Sequence, residues 1–232
     1  MPASSSDHAT LVVAVDGPSG SGKSSVSRGV ARRLGLRYLD TGSMYRAMAW
    51  WMTENGIDPA DEDAVAAVCD RPDIAVGIDP EAPTIAVDGR DVSGPIRTRE
   101  VTAVVSPVSA VRAVRDRLVA LQREVIGSGG IVVEGRDIGT VVSPDAAVKI
   151  YLTARAEVRA LRRAAEISAD PVAETHRTLS EMRRRDAIDS KRDASPLVKA
   201  DDAVEIDATD LTLEQVIDAV LDVVQARTAA SR

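Results

Sequence analysis

A chain of 232 residues with 44% hydrophobic side chains suits one domain with a full core, and 36 acidic against 29 basic residues give a net charge of −7, which argues against a general nucleic-acid or anionic-membrane binder. Phe is absent and there are only two Trp and three Tyr, so Val, Ala, Leu and Ile must fill the interior. The sole cysteine, Cys69, excludes an intrachain disulfide and is expected as a buried, inert thiol in a reducing, cytoplasmic setting.

The five apolar residues after Ser4-Ser5-Ser6-Asp7 are too few for a signal-peptide core, and they lack a basic leader. No apolar run approaches the roughly 20 residues of a membrane span, so a soluble protein is expected. The same apolar run, 11–15, reads as a first strand. Gly17-Pro18-Ser19-Gly20-Ser21-Gly22-Lys23-Ser24 follows it, and Val26, Val30, Ala31 and Leu34 then recur at helical spacing up to a capping Gly35. This order of strand, G-x-x-x-x-G-K-S loop and helix lets backbone N–H groups converge on one anion. The loop, with Ser25 behind it, is therefore expected to bind nucleotide phosphates. Lys23 would reach the β- and γ-phosphates, and the Ser24 hydroxyl would serve Mg²⁺.

A short strand over 37–39 precedes Asp40-Thr41-Gly42, which opens a second helix ending near Asn55-Gly56. After a small helix between Asp61 and Cys69, segments 74–78 and 84–87 read as short strands, and Asp88-Gly89 signals another hairpin. A β-rich piece thus interrupts an α/β chain. Helical periodicity returns over 98–105 and 110–126. Runs 131–133 and 148–152 have the form of strands buried on both faces. Thr153 can cap the next helix, a last strand covers about 203–206, and Thr212-x-x-Gln215 is a capping box for the final helix. The reading is α/β, a doubly wound parallel sheet of five strands with ligands at the strand carboxyl ends.

Three polar clusters fall in those strand-to-helix loops. Thr41, Tyr45 and Arg46 follow the second strand beside the phosphate loop, although Thr41 could equally be a helix cap. Arg136 and Asp137 follow the strand at 131–133. Arg136 could grip a phosphate bidentately and Asp137 could accept from a base amino group, or the two could form an ordinary surface pair. The stretch 159–192 carries eight Arg and one Lys against six carboxylates, with Ser168, Asp170 and Pro171 in its softer middle. It reads as two helical arms and a bend. Such a run is commonly a solvated helix face. Beside a phosphate loop, arginines on a closing segment also neutralise charge on a migrating phosphoryl group and exclude water.

Taken together these residues resemble the bacterial cytidylate kinases, within the nucleoside monophosphate kinases. The matching pieces are Asp16 to Ser24, Leu39 to Arg46, Asp91-Val92-Ser93-Gly94 with Ile96-Arg97, Gly135 to Thr140, and Arg185-Asp186-x-x-Asp189-x-x-Arg192. Glu134 stands where some relatives carry Asp, and Ser43 where alanine is common. The resemblance implies a three-layer P-loop kinase fold as one domain, 1–232, with a monophosphate-binding insert at 64–104 and a lid at 159–192. It implies ATP-dependent, direct in-line phosphorylation of CMP and dCMP in pyrimidine nucleotide metabolism, with ATP as co-substrate, Mg²⁺ as cofactor and a monomeric protein.

By position, Arg46, Arg136 and Arg192 would hold the acceptor phosphate, with Thr41 and Tyr45 beside them. Ser106, Arg115 and Asp137 would read cytosine, and Arg185 and Asp189 would approach the sugar hydroxyls. Arg159, Arg162 and Arg163 would belong to the lid over ATP. Lys23, Arg162, Arg185 and Asp189 form the implied catalytic set, with no side-chain nucleophile. A P-loop kinase for another small acceptor, such as shikimate or a sugar acid, and a nucleotide-binding regulatory protein are the other readings.

Overall fold

The computed structural model describes residues 8–167, 170–191 and 195–230. Ser168 and Arg192 lie outside these. Five strands, β1 (Val12–Asp16), β2 (Arg37–Asp40), β6 (Ile131–Glu134), β7 (Val148–Thr153) and β8 (Val204–Asp207), form one parallel sheet in the order β2-β6-β1-β7-β8. β1 at the centre pairs Val13 with Val132 on one side and with Val148 on the other. Alternation along β1 explains why its apolar run is continuous. Val13 and Val15 pack towards α1 (Lys23–Leu34) and α8 (Leu213–Ala230), and Ala14 faces α2 (Thr41–Glu54), α4 (Arg99–Ala110) and α5 (Arg112–Ile126). The result is three layers with every strand carboxyl end on one edge.

Between α3 (Glu62–Val68) and α4, the strands β3 (Ile74–Val76), β4 (Ile85–Val87) and β5 (Arg90–Asp91) make a small antiparallel sheet. Asp88 and Gly89, at φ 51 and 77, form its second turn, the conformation an Asp-Gly hairpin requires. Helices α6 (Ala156–Ile167) and α7 (Pro171–Lys191) pack against one another above the sheet edge, with Asp170 Oδ1 capping α7 by accepting from Ala173 N at 3.2 Å. Cys69 is buried and unbridged, and burial pushes its thiol pKa up.

Most boundaries follow the sequence signals. Gly35 ends α1 at φ 65, and the Thr212/Gln215 box closes reciprocally, at 2.9 Å from Thr212 N to Gln215 Oε1 and 3.3 Å from Gln215 N to Thr212 Oγ1. Two expectations need correcting, and one turn was not foreseen. Thr153 is the last residue of β7 and caps nothing; α6 starts at Ala156, and the free N–H of Arg155 is taken by Thr209 Oγ1 at 2.9 Å. α4 runs through Pro107 to Ala110, because its buried Val101, Val105 and Val108 hold it against α2. A π-type turn at Ile138–Val142, invisible to periodicity, leaves β6. Among the described residues no helix is long and apolar enough to cross a membrane.

Candidate active site

Helix α1 begins differently from its neighbours. Asp40, Asp61 and Thr98 cap α2, α3 and α4 with their side chains, whereas the N-cap of α1 is Gly22 at φ 96, with no side-chain cap and no acidic residue in the first turn. The first amides of α1 are therefore left for an outside acceptor, at the positive end of the helix dipole. Gly22 has open space where a Cβ would project. The buried Ser21 hydroxyl has no hydrogen-bond partner among the described residues. Lys23 Nζ donates to the carbonyls of Gly17 and Pro18 at 2.8 and 2.9 Å, so the loop folds around the ammonium that a phosphate would draw away. Burial, then repulsion from Arg136, pulls the Lys23 pKa down to about 8.

Beneath the loop lies an acidic floor. Asp16, buried at the end of β1, accepts from Ile138 N and Gly139 N, both at 2.8 Å, and so fixes the π-type turn that follows Asp137. Burial raises its pKa to about 6. Glu134, buried at the end of β6, accepts from the Tyr38 hydroxyl, and burial with repulsion from Asp40 raises its pKa to about 7. The Ser24 hydroxyl also lies within hydrogen-bonding reach of Glu134. Thr41 is no cap: its hydroxyl donates to Glu134 O at 2.7 Å, tying the start of α2 to the end of β6, and Asp40 does the capping by accepting from Ser43 N at 3.0 Å.

The opposite wall belongs to α2, α4, α5 and the loop after β6. Arg115 and Asp137 form a salt bridge with only 3% and 6% of their side chains exposed. Arg115 also donates to Ser109 O at 3.2 Å and lies over the Tyr45 ring at 5.2 Å, with Ser106 alongside. Deeper in, Arg46 Nη1 donates to Ile96 O at 3.1 Å and to Thr102 Oγ1 at 2.8 Å. Arg136 Nε meets Asp189 Oδ2 at 2.7 Å. Burial, then repulsion from Arg185 and Arg163, pulls Arg46 down to about 9, and burial followed by Arg136 pulls Arg185 to about 10. Such mutual repulsion marks a place where an anion would stabilise the arginines.

The two walls enclose a cleft of about 680 Å³, large enough for nucleotide substrates. Ser19, Gly20, Gly22, Lys23, Ser24 and Ser25 line it, as do Thr41, Tyr45, Arg46, Ser106, Arg115, Arg136, Asp137, Arg163, Arg185 and Asp189. A scan against family models matches the cytidylate kinase model to residues 13–226. Cytidylate kinases from Streptomyces avermitilis and Mycobacterium avium are 58% and 53% identical, covering 95% and 97% of this chain and 95% and 99% of their own. The chain belongs to the cytidylate kinase family. Among solved structures, an uncharacterized protein from Eubacterium ventriosum matches with a TM-score of 0.50 at 12% identity over 94% of this chain and 99% of its own, a likeness of fold alone. As a cytidylate kinase family member with a nucleotide-binding P-loop and a five-stranded parallel sheet, the protein has the P-loop kinase fold.

Not every expected residue faces the kinase cleft. Gly17, Pro18 and Ser21 are buried and do not line it. Arg162 Nη2 donates to Ala208 O at 2.7 Å, at the end of β8, and Arg159 is buried with Nε on Ala154 O at 3.0 Å and Nη1 on Ser19 O at 2.8 Å. Neither guanidinium is among the residues that line the cleft, though Arg159 holds the P-loop at Ser19. Arg192 falls outside the described residues. Sequence reading missed Tyr38, Asp40, Arg28, Arg97 and Ser109 as lining residues. Asp40 and Arg97 fall within the matching pieces and Ser109 lies three residues after Ser106 on a helical face, whereas Tyr38 and Arg28 carried no local signal.

Proposed function

We propose that the protein transfers the γ-phosphoryl group of ATP directly to the 5′-phosphate of CMP or dCMP, giving ADP and the cytidine diphosphate. The observation that carries this reading is the buried Arg115–Asp137 pair facing the P-loop across one cleft. Cytosine presents an amino donor beside a ring nitrogen and a carbonyl acceptor, so a carboxylate and a guanidinium at its edge match it, whereas the carbonyl of uracil would meet Asp137 without a proton between them. Arg46, Arg136 and Arg185 supply charge for the acceptor phosphate, and Asp189 holds Arg136 in place.

On the donor side, the P-loop amides and the Lys23 ammonium receive the triphosphate. Lys23 exchanges two neutral carbonyl acceptors for anionic oxygen, which raises its pKa from about 8 and fixes the proton. Among the described residues no cluster of three or more His, Cys, Asp or Glu could hold a metal unaided, and the Ser24 hydroxyl is a hard oxygen donor suited to Mg²⁺ that arrives on the phosphates. When bound, Mg²⁺ neutralises charge on the β- and γ-phosphates. Phosphoryl transfer asks the protein chiefly for alignment and charge, which the guanidiniums and the helix dipole provide. The small sheet within 64–104 serves as the monophosphate-binding insert and 159–192 as a lid that excludes water.

The test is ADP release with CMP, dCMP, UMP, AMP and GMP as acceptors. CMP and dCMP are expected to exceed the others in kcat/KM by one to two orders of magnitude. Faster turnover of UMP or AMP overturns the base assignment, and turnover without any nucleoside monophosphate overturns the reading altogether.

A further inference from the structure

We propose that Asp186, seated on the P-loop beside the cleft, competes with substrate phosphates for their partners and thereby makes donor and acceptor binding cooperative. The inference rests on the kinase reading above. Asp186 Oδ1 accepts from the P-loop amide of Ser19 at 3.3 Å, Oδ2 accepts from Arg159 Nη1 at 2.7 Å, and that same Nη1 donates to Ser19 O at 2.8 Å. The three groups close a ring around one P-loop residue. Oδ1 also lies 3.8 Å from Nη1 of Arg136, the arginine placed at the acceptor phosphate. One carboxylate, with 18% of its side chain exposed, thus spans the donor loop, the lid helices and the acceptor wall.

A backbone N–H and two guanidiniums are the partners a phosphate oxygen seeks at a helix N-terminus. Either substrate must therefore compete with Asp186. A triphosphate draws on the Ser19 amide and Arg159, and an acceptor phosphate draws on Arg136. The first substrate to bind bears the cost of displacing the carboxylate, and the second finds its partners already released. This is the arithmetic of a binding-competent state that is only partly populated, and it gives positive coupling. The lid is engaged as well. A Cβ built on Gly20 would lie 2.8 Å from Met182 Cε and 2.9 Å from Arg159 O, so α6 and α7 rest directly on the loop that the ring holds.

Calorimetric titration of CMP, with and without a non-hydrolysable ATP analogue and Mg²⁺, tests the proposal on the full chain and on Asp186→Asn. The unsubstituted protein should bind CMP about tenfold more tightly when the analogue is present. Asp186→Asn should bind CMP alone several-fold more tightly than the unsubstituted protein, with coupling reduced below twofold. A merely structural role would weaken both binary affinities and leave the coupling in place, which overturns the proposal, as does coupling absent from the unsubstituted protein.

A second readout needs no variant: CMP added alone should shift the NMR resonance of the Ser19 amide, through Arg136 and Asp186, and an unmoved resonance refutes the link. Failure of the unsubstituted protein to bind CMP under any condition overturns the kinase reading itself. Lost coupling with intact CMP binding cannot be mistaken for that failure.

Discussion

Replacing Asp137 separates the two roles assigned to the buried pair, stability and base selection. Asp137→Asn keeps the shape but removes the charge, leaving the Arg115 guanidinium with 3% side-chain exposure, one carbonyl contact to Ser109 at 3.2 Å and the Tyr45 face at 5.2 Å. Removing one partner of a buried ion pair typically costs roughly 3–5 kcal/mol. The two remaining contacts place the expected cost near the lower end, about 3 kcal/mol. At roughly 2–4 °C per kcal/mol for a chain of this size, the melting temperature should fall by about 6–12 °C. Base selection should lose about 1–3 kcal/mol, or about 5- to 150-fold in the ratio of kcat/KM for CMP over UMP, while ATP affinity is retained.

The double variant Arg115→Met with Asp137→Leu distinguishes the causes, because replacing a buried pair by apolar groups of similar volume is often neutral for stability. Thermal melts and steady-state kinetics on the three proteins should show stability largely restored in the double variant and cytosine preference still absent. Equal loss for CMP and UMP in the single variant, or a CMP preference that survives in the double variant, would refute the reasoning.

Lys23, charged below about pH 8 and neutral above it, should give kcat/KM for ATP a basic limb near pH 8, far below that of an ordinary lysine; Lys23→Arg, however slow, should lose that limb, and a limb common to both proteins would point to another group. Since the unfolded-state value is 10.5, stability should also rise with pH between about 8 and 10.5 as the folded state sheds the proton first, which chemical denaturation at pH 8 and 10 can measure. Gly20→Ala should reduce turnover at least tenfold, because φ 73 strains any side chain there and the new Cβ meets Arg159 O at 2.9 Å; normal kinetics would mean that the lid does not rest on the loop. Thr212→Ala should cost about 1 kcal/mol through the lost α8 cap, with kinetics unchanged; an equal effect on kcat would contradict the separation of this helix end from the cleft.

The sheet was legible because β1 and β6 are buried on both faces, whereas β7 alternates, with Lys149, Tyr151 and Thr153 only half-buried. Runs such as 131–133 have no polar alternation to confuse them with a surface strand. α1, α2 and α8 were legible through Gly35, Asn55-Gly56 and the Thr212/Gln215 box, which act within a few residues. What escaped depends on distant partners. The π-type turn at Ile138–Val142 follows an apolar, glycine-containing stretch whose path is set by Asp16, some 122 residues earlier in the chain. Arg159 looked like one member of an arginine run, yet its partner Ser19 lies 140 residues away, and only the packing of α6 on the P-loop turns its guanidinium inwards. Thr41 carried two local readings, cap and ligand contact; Asp40 does the capping, the Thr41 hydroxyl is tied to the end of β6, and Thr41 lines the cleft. The candidate site was legible as residue types at strand ends, and the pairing among those residues was not.

A crystal structure of the protein with CMP and a non-hydrolysable ATP analogue bears most directly on this account. Cytosine should lie with its amino group on Asp137 and its carbonyl towards Arg115, and its phosphate should rest among Arg46, Arg136 and Arg185, in line with a triphosphate held at Lys23. CMP bound elsewhere, or with its base edge turned away from that pair, would contradict it.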